Sequence, residues 1–243
     1  MSALLSVRGL GKRFGGLTAL HDVSFDVGAG QIVGVMGANG AGKTTLFSLI
    51  AGNSRPSAGA IEFDGAPVVG LRPDQICRLG VARTFQIVKP FPSLTVLENL
   101  RTGAMFGHAQ LRRRADADAA SLQVLEEVGL ASFAERPASS LTLSGQKRLE
   151  IARCVATGAR LLLLDEVMAG LTPTEVGQML ATLRHLQATR GLTLLVIEHV
   201  MRALMELCGR IVVLHHGELI AEGTPAQIGD NQKVLSVYFG AHA

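Results

Sequence analysis

Gly37-Ala38-Asn39-Gly40-Ala41-Gly42-Lys43-Thr44-Thr45 fits G-x-x-x-x-G-K-[ST], a pattern that cradles phosphate groups. An apolar stretch of strand length, Gln31-Ile32-Val33-Gly34-Val35-Met36, runs into it. Leu46-Phe47-Ser48-Leu49-Ile50-Ala51 leaves it as a candidate helix. Strand, glycine loop and helix are the context the pattern needs. Glycines let the backbone curl until successive N–H groups converge on anionic oxygens. The helix that follows adds unpaired donors and its positive dipole end. Gly37, Asn39, Gly40, Ala41, Gly42 and Thr45 are therefore expected around a nucleoside triphosphate. Lys43 would reach the β- and γ-phosphates, and the Thr44 hydroxyl would bind Mg²⁺ beside them.

The rest of the chain can build a substantial core around that loop. It has 243 residues, 48% of them hydrophobic, and a mean hydropathy of +0.32. No apolar run approaches the roughly 18 residues of a membrane span. The apolar residues come in short blocks, Leu161-Leu162-Leu163-Leu164, Leu194-Leu195-Val196-Ile197 and Ile211-Val212-Val213-Leu214. Such blocks suit strands buried on both faces of a sheet. The net charge of +3 is mild, and aromatics are 4% with no Trp. Without a base-stacking platform, no nucleic-acid partner is expected. Cys77, Cys154 and Cys208 show no C-x-x-C spacing, which reads as reduced thiols of a cytosolic protein. Met1-Ser2-Ala3-Leu4-Leu5-Ser6 lacks the basic and long apolar regions of a signal peptide.

Residues 4–35 read as β-rich, with Val23, Phe25 and Val27 alternating with polar residues. With Ala60-Ile61-Glu62-Phe63 they predict an N-terminal antiparallel sheet. A short helix over 73–79 and a strand Val81-Ala82-Arg83-Thr84-Phe85 ending at Gln86 follow. Residues 95–136 read as mainly helical, with Thr95 and Glu98 as a capping box and Arg112-Arg113-Arg114 on a solvated helix face. Then come a helix at 145–158, strand 161–165, helix 174–189, strand 193–197, helix 200–207 and strand 210–214. This alternation predicts an α/β fold with a parallel core sheet covered by helices. Residues 1–243 read as one domain. About 1–90 and 158–243 form the core with its β subdomain, and about 91–157 an inserted helical subdomain.

Leu161-Leu162-Leu163-Leu164-Asp165-Glu166 is an apolar strand that delivers two carboxylates at its C-terminal end, where ligands of open α/β sheets bind. Asp165 suits Mg²⁺, through water. Glu166 can orient and activate a water for in-line attack on the γ-phosphate. The plain alternative is two acids at a helix N-terminus, where they are favoured anyway. Leu143-Ser144-Gly145-Gln146 opens another helix. Ser144 is expected to cap it, its hydroxyl and the Gly145 N–H making a second anion site.

At this stretch the chain resembles the ATP-binding cassette family, whose signature is L-S-G-G-Q or L-S-x-G-Q. Leu143-Ser144-Gly145-Gln146 is one residue short of it. A register over Thr142–Gln146 keeps Ser-Gly-Gln and alters the start, while Leu141–Gly145 fits badly, so either Ser144 or Thr142 is the phosphate-facing hydroxyl. The resemblance covers nearly the whole chain, with the motifs in the family's order. It implies a P-loop ATPase fold and ATP with Mg²⁺ as ligands. Phe14 matches the aromatic that stacks on adenine, with a core residue as the alternative. Gln86 matches the glutamine that touches Mg²⁺ or the attacking water and senses a transmembrane partner. His199, in Ile197-Glu198-His199, matches the histidine at the γ-phosphate. The resemblance further implies a dimer in which Ser144, Gly145 and Gln146 complete the nucleotide site of a second ATPase subunit. Transmembrane permeases, an indirectly acting periplasmic solute-binding protein and a peripheral position on the cytoplasmic face of the inner membrane also follow from it.

Phe14-Gly15-Gly16-Leu17-Thr18-Ala19-Leu20, Val81 to Gln86, Leu94-Thr95-Val96-Leu97-Glu98-Asn99-Leu100 and Arg148-Leu149-Glu150-Ile151-Ala152-Arg153 look like the bacterial branched-chain amino acid (Liv-type) importers. So do Ala169-Gly170-Leu171-Thr172-Pro173 and the ending Val237-Tyr238-Phe239-Gly240. Urea and short-chain amide importers share much of this pattern. Val167, Thr172 and Val200 depart from the residues usual there; none removes a group expected to touch phosphate, metal or the attacking water, and the expected effect is on coupling across the dimer. The expectation is an active Mg-dependent ATPase that powers solute uptake. A soluble ATPase of translation or DNA repair is the alternative of another class. The single cassette, without heptads or zinc spacing, argues against it.

Overall fold

The computed structural model describes residues 3–85 and 90–239. Gln86 lies outside the described residues. The chain begins with β1 (Ala3–Phe14), β2 (Leu17–Gly28), β3 (Ile32–Met36), α1 (Lys43–Ile50), β4 (Ala58–Phe63) and β5 (Ala66–Pro67). Next come α2 (Pro73–Leu79), β6 (Val81–Arg83), α3 (Val96–Phe106), α4 (Arg114–Glu127), α5 (Leu143–Ala156), β7 (Leu161–Asp165) and α6 (Pro173–Arg190). It closes with β8 (Thr193–Ile197), α7 (Met201–Leu207), β9 (Arg210–His215), β10 (Glu218–Gly223), α8 (Pro225–Gly229) and α9 (Gln232–Phe239). Two compact units result, Met1–Pro73 with Thr193–Ala243, and Asp74–Leu192.

In the first unit, β1, β2, β4 and β5 make an antiparallel sheet in the order β2-β1-β4-β5. Leu5 and Val7 in β1 and Val23, Phe25 and Val27 in β2 are buried at every second position, which marks one covered face; Leu10, also buried, follows a register shift between Val7 and Leu10. β3 pairs in parallel with β8 on one side and β9 on the other. Both faces of β3 must then be covered, which is why Val33, Val35 and Met36 form an unbroken apolar run. Gly34 lets α7 come close: a Cβ there would lie 3.0 Å from Leu204 and 3.1 Å from Cys208. β10 runs antiparallel to β9 and is only half-buried. That weak apolar signal is why the alternation of strand and helix stops being readable near residue 214. Thr224 caps α8 with a capping box closed by Gln227, and Pro225 opens the helix.

In the second unit, β6 and β7 pair in parallel, Val81 with Leu161 and Arg83 with Leu163. β6 is shorter than the expected five-residue strand. Thr84 N–H still reaches the Leu163 carbonyl, but the next N–H, at Phe85, turns to the Glu150 carboxylate. The expected helical stretch of 95–136 is two helices and a 3-10 turn. α3 stops at Gly107, where a Cβ would fall 2.4 Å from Thr157. Thr95 and Glu98 do form the capping box of α3. Arg112 and Arg113 precede α4 instead of lying on a helix face, although all three arginines are exposed. α6 is capped by Thr172, with Glu175 completing the box, and ends at Gly191 in the left-handed region.

The three cysteines are unpaired. Burial pushes the Cys154 thiol far up and the Cys208 thiol up to about 12. Among the described residues no helix is long and apolar enough to cross a membrane.

Candidate nucleotide-binding site

The glycine loop of the first unit is braced from behind. A Cβ at Gly37 would lie 2.7 Å from the Leu214 carbonyl oxygen. Gly42 has φ +102, and a Cβ there would meet Ala19 O and Leu20 Cδ2 at 2.6 Å each. Ala41 donates its N–H to Ala38 O at 3.1 Å and accepts from Gly217 N–H at 3.1 Å. The opposite side is open: Ala38, Asn39 and Gly40 are exposed, and nothing lies within 4 Å of a Cβ built on Gly40. Gly42 also caps α1 and brings no side-chain acceptor to it. The helix start thus lies beside the exposed side of the loop at residues 38–40, with no acceptor supplied by its capping residue. Lys43 is buried, and its ammonium donates to Gly37 O at 2.6 Å and Ala38 O at 3.0 Å. Its charge is thus stored inside the loop. Thr44 is exposed and Thr45 half-buried.

Two further residues belong to this unit. Phe14 is 51% exposed, which removes the core alternative, and Lys12 Nζ sits 4.7 Å from its ring centroid. His199 is exposed two residues beyond β8. β3 and β8 are paired Val35 to Ile197, so Gly37 and His199 leave the same C-terminal sheet end.

The second unit holds the carboxylates. Asp165 is 2% exposed, and its Oδ2 accepts from Arg83 Nη2 at 2.9 Å. Its N–H donates to Thr84 Oγ1 at 2.9 Å. Oδ1 is buried without a partner. A buried carboxylate oxygen in that condition is costly and fits a metal ion or a metal-bound water. Among the described residues no group of three or more His, Cys, Asp or Glu can hold a metal. That is compatible with Mg²⁺, which takes one or two carboxylates and completes its shell with phosphate and water. Glu166 is half-buried at φ 53, a conformation that costs a non-glycine residue on the order of 1–3 kcal/mol. Its carbonyl accepts from Lys147 Nζ at 2.9 Å. α6 starts only at Pro173, so neither acid sits at a helix N-terminus.

The opening of α5 corrects one expectation. Thr142, not Ser144, is the N-cap, and it accepts from Gly145 N–H at 3.2 Å. Ser144 lies inside the first turn, 3% exposed, with its hydroxyl accepting from Arg148 at 3.3 Å. The Gly145 N–H is therefore occupied by a side chain. Gln146 donates from Nε2 to Leu141 O at 3.0 Å. Thr142 is exposed at the helix tip. Sequence reasoning also passed over Arg83, Lys147 and Glu150. Their signal was a charged residue within an apolar strand and two on a buried helix face, each of which demands a partner.

A glycine loop with an exposed side, set between a parallel strand and a helix and with its lysine buried against the loop carbonyls, defines a P-loop nucleotide-binding protein. Residues 20–169 match the ABC transporter family, and residues 218–243 match the branched-chain amino acid ATP-binding cassette transporter family. The chain is 41% identical to the high-affinity branched-chain amino acid transport ATP-binding protein BraF of Pseudomonas aeruginosa, over 98% of each chain. It is equally identical to LivG of Escherichia coli, again over 98% of each. A nucleotide-free ATP-binding cassette from an ABC transporter has the same fold, with TM-score 0.88 at 27% identity, covering 98% of this chain and 99% of that one. The ADP conformation of the cassette MJ1267 gives 0.89 at 27% identity, covering 99% and 100%. The chain belongs to the ABC transporter family and is an ATPase subunit of that kind.

Proposed function

We propose that this chain hydrolyses ATP to power uptake of branched-chain amino acids or related small solutes through partner permeases. The observation that carries the cargo is the end-to-end match, tail included, to branched-chain amino acid transport subunits. The unpartnered Asp165 oxygen and the open loop support the ATPase chemistry.

In this reading the N–H groups of Gly37 to Thr45 and the Lys43 ammonium bind the phosphates, and Phe14 stacks on the adenine. Thr44, Asp165 and Gln86 would hold Mg²⁺, which neutralises charge on the transferred phosphoryl group. Glu166 orients the attacking water and takes its proton. His199 holds the γ-phosphate in line. The start of α5, with Thr142 as its exposed hydroxyl and Ser144, Gly145 and Gln146 in its first turn, completes the nucleotide site of a second ATPase subunit, homo- or heterodimeric. Residues 1–243 act as one cassette, with about 91–157 as its helical subdomain. It lies on the cytoplasmic face of the inner membrane, where a periplasmic solute-binding protein supplies the permeases.

Glu166→Gln should bind ATP normally and turn it over at least a hundredfold more slowly. Near-normal hydrolysis would remove the water-activating role. Reconstituted with its permeases and binding protein in vesicles, the chain should drive ATP-dependent leucine uptake. Uptake of urea or acetamide alone would overturn the cargo assignment.

A further inference from the structure

Helix α5 carries two buried charged side chains three residues apart, Lys147 at 5% exposure and Glu150 at 6%. That spacing puts them side by side on one face. Glu150 Oε1 accepts the Phe85 N–H at 2.8 Å. Lys147 Nζ donates to the main-chain carbonyl of Glu166 at 2.9 Å. The same carbonyl accepts Ala169 N–H over a longer 3.3 Å. An ammonium is expensive to bury, and an apolar residue would fill this face of α5 without that cost. Its placement therefore calls for a return.

The return lies in the conformation of Glu166. At φ 53 its Cβ crowds its own backbone, and the residue relaxes to ordinary φ unless its surroundings hold it. The direction of its carbonyl fixes ψ, and with φ that fixes where the side chain starts. A charge-assisted hydrogen bond to the carbonyl is a stronger restraint than a neutral one. We propose that Lys147 is a positioning residue for Glu166, locking the peptide that follows it so that the carboxylate is held in place for the attacking water. This rests on the reading of Glu166 as the group that orients that water. Lys147 is buried, and in this role it acts through the Glu166 carbonyl.

The test uses the full chain, with steady-state ATPase kinetics, titration of a fluorescent trinitrophenyl-ATP and thermal melting of Lys147→Met, Lys147→Arg and Glu166→Gln. Lys147→Met should lose at least tenfold in kcat, about 1.4 kcal/mol, with KM and trinitrophenyl-ATP affinity within twofold of the parent. Lys147→Arg keeps a long cationic donor and should recover most of the loss. Wild-type kcat in Lys147→Met beside an inactive Glu166→Gln overturns this inference and leaves the role of Glu166 standing. An active Glu166→Gln overturns the role of Glu166 itself. A loss that Lys147→Arg does not recover, or that tracks nucleotide affinity, makes Lys147 merely structural and overturns the inference too. Should Lys147→Met unfold, Lys147→Gln, whose donor has shorter reach, replaces it, and wild-type kcat there is equally fatal.

Discussion

Arg83 Nη2 donates to Asp165 Oδ2 at 2.9 Å, with the two side chains only 9% and 2% exposed. One carboxylate oxygen is thereby satisfied and the other, Oδ1, is left buried and open. The pair therefore orients the acid as well as neutralising it. Removing one partner of a buried ion pair strands the other charge, at about 3–5 kcal/mol. Arg83→Met should lose that much in denaturant unfolding. The double variant Arg83→Met with Asp165→Asn should lose less, since no uncompensated charge remains. Additive losses would show that the two side chains do not act as a pair.

Gly42 and Gly40 differ in what surrounds them. Both have positive φ, +102 and +79, but a Cβ on Gly42 meets Ala19 O at 2.6 Å and one on Gly40 meets nothing within 4 Å. Gly40→Ala should cost only the conformational term of about 1–2 kcal/mol. Gly42→Ala must also displace backbone, so its melting temperature should fall further and trinitrophenyl-ATP binding should be lost. Equal melting temperatures in the two variants would sink the steric argument.

Thr142 caps α5 and Ser144 is buried behind it. Thr142→Val should destabilise by about 1 kcal/mol, the usual worth of a cap, and lower ATPase turnover. Ser144→Ala should leave turnover within about twofold, a free-energy change under roughly 0.5 kcal/mol. The reverse pattern would restore Ser144 as the residue facing the partner nucleotide.

Burial raises the Glu150 carboxyl above its usual range, only partly offset by its bond from the Phe85 N–H and the charges of Arg153 and Lys147. A carboxyl raised in the folded state holds its proton more tightly there than in the unfolded chain. Its contribution is therefore most favourable below the unfolded pKa and is lost as pH rises through the folded one. Glu150→Gln keeps an oxygen for the Phe85 N–H but cannot ionise. Its melting temperature should exceed that of the parent at pH 7.5, with the gap closing towards pH 4. A gap independent of pH would refute the assignment.

Much of the architecture is written locally. The P-loop, the capping boxes at Thr95 and Thr172 and the paired acids after Leu164 each depend on residues a few positions apart, so their spacing is their physics. The same locality explains the errors. Ser144 and Thr142 are both plausible caps within one turn. The choice depended on which hydroxyl the Gly145 N–H meets once Ser144 is pressed into the interior. β10 was missed because a half-buried strand carries little apolar contrast.

By itself the sequence determined that this chain binds a nucleoside triphosphate on a P-loop in an α/β fold, because short-range backbone geometry and apolar periodicity encode both. Only the tertiary structure decided how the carboxylates are held. Arg83 and Asp165 stand 82 residues apart, and Lys147 and Glu166 stand 19 apart. No spacing rule joins such pairs. Burial does, because a charge removed from water must find a partner among whatever side chains and carbonyls the folded chain brings to it.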